Sequence, residues 1–120
     1  MQEKMVYLKT KNGQYPMIFT LNVMESIQDK FGSLDQWKNL IFVSDNEERT
    51  EPDIKALLFG LTEMINEGID IENEELPSPR HFIDKRKTGR IITELGMQEV
   101  NTKLGESIIA STKNDEAKNE

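Results

Sequence analysis

The clearest hydrophobic pattern in this chain lies in residues 52–69, PDIKALLFGLTEMINEGI. Ile54, Leu57, Leu58, Leu61 and Ile65 recur at the i, i+3, i+4, i+7, i+11 spacing that stacks side chains along one helix face. Lys55, Thr62, Glu63, Asn66 and Glu67 fall on the other side, so the spacing predicts an amphipathic helix at the centre of a core, capped by Gly68. Phe59 points away from the stripe and needs a second neighbour, in this chain or on a partner. Ala56 and Gly60 beside it leave room for close approach.

Two stretches alternate with strand period, residues 5–10 (MVYLKT) and 15–20 (YPMIFT), around the hairpin signal Asn12-Gly13. A two-residue turn there sets Val6 opposite Phe19, Leu8 opposite Met17 and Thr10 opposite Tyr15. Pro16 would then oppose Lys9 at a hydrogen-bonded site with no N–H to give, which leaves a longer loop open. The second face carries Tyr7 and Ile18; it is either an edge to which another chain adds or a face that helices of this chain cover.

Four further helical segments and two connections complete the pattern. Asn22 with Glu25 resembles a capping box ahead of Met24, Ile27 and Phe31, and Gly32 ends that helix. Ser33 with Gln36 opens the next, where Leu34, Trp37, Leu40 and Ile41 form an apolar face and Trp37 reads as core rather than as a ligand platform. Residues 44–51 form a polar connection leading through Thr50-Glu51-Pro52 into the central helix. Residues 70–79 form an acidic, proline-containing linker. Residues 80–90 turn basic, then Ile91, Ile92 and Leu95 mark a helix closed by Gly96. Met97, Val100, Leu104 and Ile108, joined by Ile109, mark a C-terminal helix. The expected fold is α+β, mainly α: a hairpin followed by a small bundle of four to five helices in one domain, residues 1–112, with residues 113–120 as a disordered polar tail.

Composition removes several function classes. Without cysteine there is no disulfide framework, thiolate metal site or cysteine nucleophile. No run of apolar residues is long enough to span a membrane, and Met1-Gln2-Glu3-Lys4 leads into a strand without a signal-peptide core, so a soluble cytoplasmic protein is expected. A formal charge of -7 disfavours general affinity for nucleic acid or anionic lipid and leaves protein partners.

The residues offer little chemistry of their own. His81 is the one histidine, which excludes a multi-histidine metal site, and it sits in a basic segment behind Pro79. The acidic run in residues 70–75 lacks the glycine and terminal glutamate of a calcium loop, and no phosphate-cradling glycine motif is present. No catalytic residue, cofactor or metal site is expected. Lys85, Arg86, Lys87 and Arg90 invite a helix-turn-helix reading with Gly96 as the turn. Ile92 is too large for its place in that motif, and the following helix exposes Gln98, Glu99 and Glu106 instead of a basic face. A small intracellular regulator binding nucleic acid through residues 80–90 is the alternative function.

The order of features resembles the tail assembly chaperones of long-tailed phages, prophages and gene transfer agents. The segment FTLNVMESIQDKFGSLDQW is the closest match, followed by the helix ending Ile65-Asn66-Glu67-Gly68 and by Gly89-Arg90-Ile91-Ile92-Thr93. The resemblance implies a non-enzymatic protein of the host bacterial cytoplasm that coats the tape measure protein while the tail tube is built and recruits tube subunits. It also implies self-association and a second, longer product made by ribosomal frameshifting. The basic residues 80–90 depart from the neutral or acidic stretch expected there. Residues and resemblance together predict a homo-oligomer built through apolar surface that lacks partners within the chain, with Tyr7, Ile18, Phe59, Ala56 and Gly60 as the contact candidates.

Overall fold

A computed structural model gives the structure of residues 4–42 and 52–119, with side chains up to residue 112. The order of elements is β1 (Val6–Thr10), β2 (Gly13–Met17), α1 (Leu21–Phe31), α2 (Leu34–Ile41), α3 (Ile54–Asn73), α4 (Lys85–Leu95) and α5 (Met97–Asn119). The fold is thus α+β and mainly α, an antiparallel hairpin followed by five helices. β2, α1, α2 and α4 all pack on α3, while α5 packs on β1 and α4.

The hairpin forms within the chain, but its turn is Lys11-Asn12, closed by Thr10 opposite Gly13. Val6 pairs with Met17, Leu8 with Tyr15, and Tyr7 with Pro16. The physical reason lies in Pro16. Counting outward from a two-residue turn, antiparallel pairs alternate between hydrogen-bonded and non-hydrogen-bonded, and moving the turn by one residue puts Pro16 at a pair that needs no N–H. The pairing moves by two residues, so each side chain keeps its face. Thr10 braces the turn: its hydroxyl donates to Gly13 O at 2.9 Å and accepts from Asn12 N at 3.3 Å.

Caps follow the expected glycines more closely than the expected N-terminal residues. α1 begins earlier than Asn22, with Thr20 as N-cap accepting from Val23 N, because the chain leaves the strand at Thr20. Ser33 caps α2 and Gly32 closes α1 at φ 94, both as the sequence predicts. Asp53 caps α3 by accepting from Ala56 N at 2.9 Å, so Pro52 lies just outside the helix; the polar 44–51 connection, with Thr50 and Glu51, falls outside the described residues. Gly96 closes α4 at φ 93.

Gly68 does not cap α3. The helix continues to Asn73, and Gly68 is where Pro16 crosses it; a Cβ there would lie 2.9 Å from the Pro16 carbonyl carbon and oxygen. Ile18 N, one step beyond β2, donates to Met64 O at 3.3 Å, which ties the strand to the helix. The backbone of α5 runs helically to Asn119.

The core gathers Leu8, Met17, Phe19, Ile27, Trp37, Leu57, Leu61, Ile65, Ile91 and Leu104 into one cluster. α3 is buried on more than one side, since Ala56, Gly60, Met64 and Ile69 join Leu57, Leu61 and Ile65 inside. Ile54, expected at the head of the buried stripe, is instead 47% exposed.

Candidate functional site

All five positions expected to face a partner are engaged within the chain. The Tyr7 hydroxyl donates to Glu72 Oε2 at 2.6 Å, and Ile18 is buried. Phe59 meets Phe31 of α1 edge to face, with ring centres 5.7 Å apart, and Lys30 Nζ lies 5.3 Å from the Phe59 ring centre. The Ala56 carbonyl accepts from Trp37 Nε1 at 3.0 Å, and Gly60 lies against the same indole. The notch at Ala56 and Gly60 is therefore filled by α2, because the short helices α1 and α2 fold back over the second flank of α3. Tyr7, Ile18 and Phe59, expected to lack partners within the chain, thus have neighbours in it.

Tyr7 also acquires an unusual proton affinity. Its pKa is pushed up to about 12, first by donating to the Glu72 carboxylate, then by burial and by the repulsion a phenolate would meet from Glu72.

Apolar surface is left open elsewhere, at Leu21, Phe82, Ile109 and Ile54. A groove of about 360 Å³ runs between the first turns of α3 and the outer side of α4, with Met97 of α5 at its end. Leu57 and Ile92 form its floor, and Ile54, Leu58 and Met97 its partly exposed walls. Gly89 keeps it open: a Cβ there would lie 3.8 Å from Leu58 Cδ2 and begin to fill it. Periodicity assigned Ile54, Leu57 and Leu58 to the core, so the groove was not legible from the helical stripe.

A second, wider depression of about 650 Å³ adjoins the groove and shares Gly89 and Thr93 with it. Lys11 of the hairpin turn and Arg86, Arg90 and Glu94 of α4 line the remainder. Glu94 is already engaged, since its carboxylate accepts from Lys11 N at 2.8 Å. The side chains of Arg86 and Arg90 make no hydrogen bond or ion pair among the described residues, and both residues are exposed. The basic run of the sequence is thus divided in space, for Arg80 and Lys87 lie over the Tyr15 ring at 5.2 and 5.8 Å.

The polar side of α3 has a structural use that its amphipathic pattern did not reveal. Asn66 accepts from Ile83 N at 2.8 Å and donates to Ile83 O at 2.9 Å. Asn73 treats Arg80 the same way, at 2.9 and 3.0 Å. These two clasps pin the segment entering α4 and leave Phe82 between them 59% exposed. Glu67 accepts from Thr20 Oγ1 and Asn22 Nδ2. The Thr62 and Thr88 hydroxyls meet at 2.6 Å; Thr88 donates to Asp84 O, so Thr62 is the donor between them. The seven-residue spacing of Asn66 and Asn73 was the available signal, but spacing does not show that a loop returns to meet them.

His81 is exposed in a shallow depression with Tyr15, Arg80, Asp84 and Lys87. Among the described residues, no group of three or more histidine, cysteine, aspartate or glutamate side chains is placed to hold a metal ion, and no helix is long and apolar enough to cross a membrane. Comparison with family models, with curated proteins and with solved structures gave no match.

Proposed function

We propose that this chain is a non-enzymatic tail assembly chaperone that binds helical segments of the tape measure protein and helps recruit tail tube subunits in the host bacterial cytoplasm. The observation that carries the reading is the apolar groove walled by Ile54, Leu58 and Met97, a surface suited to the apolar stripe of another helix. The resemblance of residues 19–37 to that family supplies the partner. Self-association belongs to the same proposal. Co-expression with the tape measure and tail tube proteins of the same locus is the test. Co-purification that Leu58→Glu abolishes is the expected result, and failure of both proteins to co-purify with the unaltered chain overturns the reading.

A second reading is nucleic-acid binding, favoured by the convergence of Lys11, Arg86 and Arg90 on one open depression. Against it stand the charge of -7 and the use of Arg80 and Lys87 on Tyr15. A mobility shift at low salt whose salt dependence weakens by about one unit of slope for each arginine removed is the result that favours it.

A further inference from the structure

We infer that the groove between α3 and α4 takes an amphipathic helix of another protein whose apolar stripe is flanked by carboxylates. The inference rests on the proposal that this groove is a docking site, and it specifies the chemistry of what docks. Its basis is the shared wall. Gly89 and Thr93 belong both to the apolar groove and to the basic depression, so a ligand seated on Leu58 and Ile92 lies beside Arg86 and Arg90.

The geometry of α4 sets the spacing. Arg86, Arg90, Thr93 and Met97 follow one another at intervals of three or four residues, and on α4 the first three therefore line one face. From Arg86 to Thr93 the rise is about 10 Å, roughly two helical turns. A docked helix that lays its apolar stripe along the groove brings the polar positions flanking that stripe beside the two guanidinium groups. Glu94, in the same depression, is ion-paired with neither arginine, and its Oε2 accepts from the Lys11 backbone N–H.

The remaining charge distribution supports the same ligand. The chain as a whole carries -7, so cations left unpaired beside an apolar groove are a local exception. A basic helix would meet both arginines head on. A neutral helix would leave their charge unanswered at the rim. Only an acidic flank gains attraction from both, which selects among partners and speeds encounter more than it deepens affinity.

Three designed helical peptides of equal length test this by fluorescence anisotropy against the full chain. Each carries leucines at i, i+3, i+4 and i+7, with glutamate, glutamine or lysine at the flanking positions. The glutamate peptide is expected to bind roughly tenfold tighter than the glutamine peptide at low salt, with the lysine peptide weakest. Arg86→Glu combined with Arg90→Glu, both exposed and tolerable to folding, is expected to erase that preference and reverse the order of the glutamate and lysine peptides. Equal binding of the glutamate and glutamine peptides, or a preference that survives the double charge reversal, overturns the acidic assignment. If the glutamine peptide still binds and Leu58→Glu removes it, the docking reading survives that loss. If no peptide binds, both fall. Sedimentation of the chain alone completes the set: self-association that Leu58→Glu dissolves would make a second copy the occupant, against the inference.

Discussion

Trp37 of α2 lies on Gly60 of α3 so closely that a Cβ at position 60 would stand 2.7 Å from Cε2 and 2.8 Å from Nε1 of the indole. The same nitrogen donates to Ala56 O at 3.0 Å, so the ring is fixed both by shape and by a hydrogen bond. Phe19 stacks on the same indole, with ring centres 6.0 Å and planes 11° apart. Trp37→Ala should cost about 3–5 kcal/mol. Gly60→Ala should cost about 1–3 kcal/mol by overpacking, even after the gain in helix propensity. In the Trp37→Ala background the second substitution should instead stabilise by up to about 1 kcal/mol, since the added methyl enters the vacated space. Urea denaturation of the four proteins measures the cycle, and additive effects would show that the two residues do not share one contact.

Two helical glycines should respond with opposite sign to alanine. At Gly68 the new methyl meets the Pro16 backbone at 2.9 Å, and backbone cannot rotate away as a side chain can, so a loss of about 1–3 kcal/mol is expected as β2 is pushed off α3. At Gly105 nothing lies within 4 Å, and a gain of about 0.5–1 kcal/mol is expected from helix propensity and a stiffer unfolded chain. Thermal melts of both variants decide the comparison.

The clasps of Asn66 and Asn73 predict a local effect. Asn66→Ala removes both hydrogen bonds to Ile83, and a cost of about 1–2 kcal/mol is expected, with faster amide exchange at Ile83. Asn73→Ala should do the same at Arg80 while leaving Ile83 protected. Equal acceleration at both amides in either variant would show that the segment is held as one unit instead of by two separate clasps.

The Tyr7 to Glu72 hydrogen bond predicts an alkaline limb. An ordinary tyrosine ionises near pH 10, whereas Tyr7 in the fold keeps its proton to about 12. Between those values the unfolded chain releases a proton that the folded chain retains, so stability falls as pH rises through this window and the contribution is complete below it. Tyr7→Phe should remove that limb, and Glu72→Gln should shrink it. Denaturant midpoints from pH 9 to 11.5, taken as differences from the unaltered protein, provide the measurement.

What the sequence determined by itself are the features written into neighbouring residues. The alternation around residues 5–20 yields the hairpin, Gly32 and Gly96 end their helices at positive φ, and Ser33 opens α2. The faces of both strands were also legible, because their side chains alternate whatever the register. Tertiary structure decided everything that depends on which elements meet. Pro16 selected the turn through the pairing it cannot complete, and Gly68 was claimed by a crossing strand instead of a helix end. The flank of α3 around Ala56, Gly60 and Phe59 has the composition of an interface, yet whether its occupant is a partner or α1 and α2 is not encoded locally, since small residues admit either. Those short helices return to cover it, and an open apolar groove lies instead at Ile54 and Leu58, beside two arginines that a one-dimensional reading places some thirty residues away.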